Sequence, residues 1–270
     1  MGRLEDKAFG FLQIPARSVK PRETGQTIVA DKWLGLHALD DLLEVGGDFV
    51  DWGKICISSP RILSRDLLRR KIERYGRSRV EVFLTGDVFE LAINQGVVDR
   101  VYEETAALGC QGIEVASAQV ILSIEDKARL VRRAAAHGLK VFAEVGKKGA
   151  HDRTIHSGYL LKEIDAMLAA GAYRVLVQGE GLVEGVAEIR EEILFDIATR
   201  FELRDLVFQA KDARAHAWFI AQFGPEVNLD IDSDQVVPVE LCRRGLRRRG
   251  LFGLVAAAPE PEAARRGGEG

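Results

Sequence analysis

The chain has 270 residues, with 38 Lys and Arg against 41 Asp and Glu and a formal net charge of −3. That near balance excludes a surface built wholesale for nucleic acid. With 47 % apolar and 29 % charged residues, the composition is that of a soluble globular protein and excludes wholesale disorder.

Residues 1–20 carry only short apolar stretches between charges and read as an N-terminal arm, not a signal peptide. No stretch approaches the roughly 18 apolar residues of a membrane helix. Cys56, Cys110 and Cys242 are odd in number, far apart and without a CxxC pair, so a reduced, cytoplasmic setting is expected. Residues 256–270, AAAPEPEAARRGGEG, have no large apolar side chain and are expected to be a disordered tail.

Between arm and tail runs a repeating pattern. Short apolar, β-branched segments ending in polar residues predict strands at 27–31, 49–55, 80–84, 112–116, 140–144, 174–178, 206–209 and 226–229. Their starts recur at βα-unit spacing. Helical periodicity fills the intervals. In 125–137, for example, Ala128, Val131, Ala134 and Ala135 recur at three and four residues before Gly138. Eight strands alternating with helices predict a single (βα)8 TIM-type barrel over 21–255. An open doubly wound sheet is the competitor, but neither GxGxxG nor GxxxxGK[ST] follows the first strand.

In such barrels chemistry sits at the C-terminal ends of the strands. Those positions read Asp31 and Lys32; Asp51 and Lys54; Asp87 and Glu90; Glu114; Glu144 with Lys147 and Lys148; Gln178 with Glu180; Gln209 with Lys211 and Asp212; and Asn228 with Asp230. Some of these charges will pair with one another. As a ring they suit anion binding beside a hard cation, because carboxylates hold Mg²⁺ and lysines supply point charges for phosphate or carboxylate. A lysine among other cations can also move a proton near neutral pH.

The residues KPRETGQTIVADKW from Lys20, VDWGK from Val50, GDVFE from Gly86, IEV from Ile113, EVGKK from Glu144, FIAQFGPEVNL from Phe219 and ELCRRGLR from Glu240 resemble, in order, the phosphosulfolactate synthase family. The resemblance runs from about Lys20 to Phe252. It implies a Mg²⁺-dependent (βα)8 lyase or synthase that adds sulfite to C3 of phosphoenolpyruvate, giving 2-phospho-3-sulfolactate. By resemblance Lys147 is the proton donor, with Glu144 and Lys54 also catalytic. Arg22, Lys32, Asp51, Lys148, Gln178, Gln209 and Lys211 are the substrate-binding candidates. Glu114, Asp51 and Glu144 are the metal candidates. The implied partner is a small anion such as phosphoenolpyruvate, with no nucleic acid or membrane. A homo-oligomer is compatible with such a barrel, though no interface signature is visible.

The departures matter equally. The family's GGTLFE is Thr85-Gly86-Asp87-Val88-Phe89-Glu90 here, and EIS[DN]G is Glu114-Val115-Ala116-Ser117-Ala118. DFVKFGWGT becomes a segment running from Asp51 to Ser59 that loses two loop glycines. At the sixth and seventh strand ends, family glutamates become Gln178 and Gln209, and a family Arg becomes Glu180. Lys211 stands where a proline stood. An Arg fork for an anion is not replaced by a carboxylate. Three readings stay open: lysine–metal chemistry with a changed nucleophile such as an amine or thiol, a non-catalytic binding protein, and sulfite addition with Lys211 compensating.

Asp230-Ile231-Asp232-Ser233-Asp234 begins like a calcium loop, but Gln235 stands at the required glycine and Leu241 at the closing glutamate, so that reading fails. His151 and His156 flank a polar loop with no zinc pattern. Arg243, Arg244, Arg247, Arg248 and Arg249 read as a cationic helix end. Cys56 lacks a neighbouring base in sequence.

Overall fold

The computed structural model describes residues 8–12, 14–56, 58–146 and 156–246. The 256–270 tail and the arginines at 247–249 therefore lie outside the described residues, as do Lys147, Lys148 and His151.

Eight strands form one closed, all-parallel barrel in sequence order: β1 (Thr27–Asp31), β2 (Trp52–Ile55), β3 (Glu81–Leu84), β4 (Gly112–Val115), β5 (Lys140–Val145), β6 (Arg174–Val177), β7 (Leu206–Gln209) and β8 (Leu229–Asp232), with β8 pairing back onto β1. This is the (βα)8 fold that the alternation predicts. Ten helices surround it among the described residues: α1 (Leu36–Gly46), α2 (Ser59–Ile62), α3 (Arg65–Arg77), α4 (Gly86–Gln95), α5 (Val98–Leu108), α6 (Ile124–Ala136), α7 (Ser157–Ala169), α8 (Glu191–Arg200), α9 (Ala213–Phe223) and α10 (Val236–Arg243).

Side-chain caps start several of them. Ser64 Oγ accepts from Leu67 N at 3.2 Å, Ser123 Oγ from Asp126 N at 3.0 Å, and Asp212 Oδ1 from Ala215 N at 2.7 Å. The periodic segment 125–137 is α6, and Gly138 beyond it takes the left-handed conformation that a helix end favours.

Two strands depart by three residues from the sequence expectation, the others by one at most. β2 begins only at Trp52, which leaves Asp51 ahead of the ladder. β8 lies three residues later than expected. Asn228 is the reason: its Oδ1 accepts from Gln26 N at 2.8 Å, and its Nδ2 donates to the carbonyls of Leu203, Arg204 and Leu206. Asn228 thus ties loops at the strand's threshold, and the ladder starts at Leu229.

Inside the barrel Ile28, Trp52, Phe83, Phe142, Leu176 and Val207 form their own buried layer. Phe83 stacks on Phe142 with centroids 4.1 Å apart, and Trp52 meets Phe142 edge-on at 4.9 Å. This layer closes the interior. The larger apolar cluster lies outside it, between strands and helices.

Candidate active site

Strand alternation turns the residues two positions beyond that layer inward as well. Ala30, Lys54, Thr85, Glu114, Glu144 and Gln209 thereby line a cavity of about 140 Å³ at the C-terminal mouth, joined by Lys32, Cys56, Asp87 and Lys211. The aromatic layer is its floor; Lys54 Nζ lies 6.0 Å from the Phe83 ring centroid.

The charges on the wall alternate. Lys54 Nζ sits 2.6 Å from Glu114 Oε2 and 3.2 Å from Asp230 Oδ2. Lys211 Nζ pairs with the other Asp230 oxygen and lies 3.9 Å from Asp232 Oδ1. Lys32 Nζ closes the series 2.7 Å from Asp232 Oδ2. Burial alone would lower the Lys54 pKa, but Asp230 and Glu114 beside it hold the ammonium well above the usual lysine value. Burial alone would raise Asp230, yet Lys211 and Lys54 keep its carboxyl below the ordinary range. Burial pushes the Cys56 thiol up to about 12, so it is no ready nucleophile despite lining the cavity.

Of the residues singled out in sequence, Lys32, Lys54, Glu114, Glu144, Gln209 and Lys211 meet at this cavity. Gln178, one inward step above Leu176, is buried, and its Oε1 has no hydrogen-bond partner among the described residues. Gln209 Oε1 accepts from Gly179 N at 3.2 Å, which ties the sixth strand end to the seventh.

Arg22 and Asp51 require a correction. They lie at the opposite, N-terminal mouth, because Asp51 precedes β2 and Arg22 precedes β1. Arg22 Nη1 donates to Asp51 Oδ1 at 2.9 Å, and Asp51 Oδ2 accepts from Thr27 N at 2.9 Å. Arg22 also donates to the carbonyls of Ser18 and Asp48. The pair thus binds backbone at the strand starts, and neither residue lines the cavity. Asp31, another strand-end acid, faces outward to Lys71 and Tyr75 of α3.

Asp230 and Asp232 join the site beyond the residues that the family resemblance implies. Their signal is the alternation Leu229-Asp230-Ile231-Asp232, apolar outward and acidic inward.

Among the described residues no group of three or more His, Cys, Asp or Glu is arranged around one ion position. Mg²⁺ needs only one or two carboxylates when substrate oxygens and water complete its shell. Glu114 and Glu144 both line the cavity, and the two Glu114 oxygens meet Lys54 Nζ and Gly86 N.

A profile of the (2R)-phospho-3-sulfolactate synthase (ComA) family matches residues 15–249. The chain is 32 % identical over 248 residues to a phosphosulfolactate synthase of Methanothermobacter thermautotrophicus, covering 89 % of this chain and 96 % of that one. It is 26 % identical to the Arabidopsis thaliana protein HEAT-STRESS-ASSOCIATED 32, covering 85 % of this chain and 88 % of the plant protein. The fold resembles 3-hexulose-6-phosphate synthase from Salmonella typhimurium with a TM-score of 0.57 at 12 % identity, over 82 % of this chain and 100 % of that one. The collinear motifs, the barrel and a family match spanning nearly the whole described chain lead to one assignment: the chain belongs to the (2R)-phospho-3-sulfolactate synthase family.

Proposed function

We propose that this chain binds phosphoenolpyruvate at the C-terminal mouth and joins a nucleophile to its C3, with sulfite as the family's nucleophile. One observation carries the reading: Lys54, Lys211 and Lys32 line a small cavity with a buried aromatic floor, each held in place by a carboxylate. Lys211 and Lys32 are partly exposed and free to turn toward an entering phosphate, whereas Lys54 is buried.

In this proposal the sulfur lone pair of sulfite forms the bond to C3. The C2–C3 π pair moves onto C2 and the adjoining carboxylate, and a proton delivered to C2 completes 2-phospho-3-sulfolactate with the phosphate ester intact. Lys54 stays charged at neutral pH and stabilises the negative charge that develops on the carboxylate; it is not the acid. The C2 proton is assigned to Lys147, which follows Gly146 at the end of the fifth strand segment. Mg²⁺ held by Glu114 and Glu144 would supply Lewis-acid neutralisation of the substrate carboxylate. The reaction is placed in the cytoplasm, in keeping with Cys56, Cys110 and Cys242 as buried free thiols. Among the described residues no helix is long and apolar enough to cross a membrane.

The test is thermal stability with phosphoenolpyruvate, sulfite and Mg²⁺ added singly and together, with ³¹P NMR of the mixture for product. A midpoint raised by phosphoenolpyruvate with Mg²⁺, raised further by sulfite, and a new phosphate ester resonance are expected. No shift with any of them overturns the reading and favours a binding protein. A second reading, a changed nucleophile, is favoured by the β6–β7 side of the mouth. That side presents Gln178, Gln209 and Glu184, whose Oε1 accepts from Lys211 N at 2.9 Å. Its mark would be a phosphoenolpyruvate shift indifferent to sulfite, with turnover on a thiol or amine.

A further inference from the structure

We infer that Glu90 is a positioning residue of this site, acting through the loop that follows β4; the inference rests on the proposed use of the C-terminal mouth. Glu90 sits on α4, only 4 % exposed, and does not line the cavity. Its Oε1 accepts from Ala118 N at 3.0 Å, and its Oε2 accepts from Gln119 N at 2.7 Å and Val120 N at 2.9 Å. Three successive backbone N–H groups turned on one point form an anion-binding concavity. Here the chain fills that concavity with its own carboxylate. Charge-assisted bonds of this kind are what make a buried carboxylate tolerable.

The tie is reciprocal. Glu114, on β4, reaches back to the start of α4, where its Oε1 accepts from Gly86 N at 2.9 Å. Gly86 packs so closely on the β4 end that a Cβ there would collide with Ala116 Cβ. Gln119, in the pinned loop, donates from Nε2 to Asp87 Oδ1 at 3.2 Å. The third and fourth βα units are therefore clasped in both directions. The clasp sets two cavity carboxylates, Asp87 and Glu114, and through Glu114 it fixes the 2.6 Å pairing with Lys54. Glu90 touches none of the substrate positions; its effect passes through the loop to Glu114.

The test uses the full chain with Glu90→Ala and Glu90→Gln. Three quantities are read: hydrogen exchange at the amides of 86 and 118–120, the carbon-13 resonance of the Glu114 carboxyl assigned with Glu114→Gln, and the dissociation constant for phosphoenolpyruvate. In Glu90→Ala, exchange at those four amides should quicken while the barrel strands stay protected. The Glu114 resonance should shift, and phosphoenolpyruvate should bind roughly 10- to 100-fold more weakly, the usual cost of losing an orienting partner. Glu90→Gln keeps acceptor oxygen but brings an N–H group against donors, so it should recover only part of each effect. It also carries the test if the alanine variant does not fold.

Faster exchange with an unmoved Glu114 resonance would reduce Glu90 to a structural tie and overturn the inference. Unchanged exchange would overturn the clasp itself. If the wild type fails to bind phosphoenolpyruvate, the proposed function falls, and the Glu114 resonance alone decides the role of Glu90.

Discussion

The two mouths of the barrel both bury charge, and they use it differently. At the N-terminal mouth Arg22, Asp51 and Lys20 are committed largely to backbone. Arg22 spans two carbonyls and Asp51, Asp51 takes the amide of Thr27, and Lys20 donates to the carbonyl of Gly47 at 2.6 Å. At the C-terminal mouth the charges are committed mainly to one another, in the series Glu114, Lys54, Asp230, Lys211, Asp232, Lys32, around a cavity. A backbone partner fixes a loop and cannot be exchanged for a ligand. A side-chain partner can be traded for substrate. Burial of an ionisable group is common to both ends, so the identity of its partner separates architecture from chemistry.

The sharpest way to break this contrast is Lys54→Met. Removing the cation leaves Glu114 without a counter-charge and Asp230 with Lys211 alone, and breaking such a buried pair costs about 3–5 kcal/mol. Urea unfolding should show that loss, and the stabilisation by phosphoenolpyruvate should vanish with it. The added change Glu114→Gln should recover part of the stability and none of the ligand response. Full binding by Lys54→Met would sink the distinction between the mouths.

A smaller effect is the response to acid, which should run in opposite senses at the two ends. Burial raises the Asp51 carboxyl despite Arg22, so its ionisation costs stability at neutral pH, and that cost fades as pH falls toward its unfolded value of about 3.9. The Asp230 carboxyl is held low by its lysines, so its contribution is complete above about 3.9 and is lost only as pH falls through the lower folded value. Measured against Asp51→Asn, the wild type should gain stability on acidification to about pH 4. Measured against Asp230→Asn, it should lose stability, and only below that point. Ligand binding should survive Asp51→Asn and fail in Asp230→Asn. The smallest effect concerns Cys56, whose thiol at about 12 should resist iodoacetamide at pH 8 in the folded protein and react once it is unfolded.

The fold was legible because a barrel strand buried on both faces is a short apolar run, and eight of these alternate with helical periods. Depth along a strand was not legible. Asp51 and Lys54 stand three residues apart in one apolar run, yet one lies ahead of the ladder and the other above the floor. Alternation about Trp52 separates them, since 52 and 54 share a face that 51 does not. The same rule turns Asp31 outward and brings Asp230 and Asp232 inward. Glu90 was visible as a motif residue, but its bonds run to a loop 28 to 30 residues away, a separation that no local pattern encodes.

The aromatic stratum of Trp52, Phe83 and Phe142 gives the barrel one door. Among the described residues that layer is the cavity's floor, so in the proposed reaction substrate, co-reactant and product share the C-terminal mouth. Traffic through a single doorway is sequential: product must clear before the next substrate seats. In the proposed reaction, product should therefore compete with phosphoenolpyruvate for the empty protein.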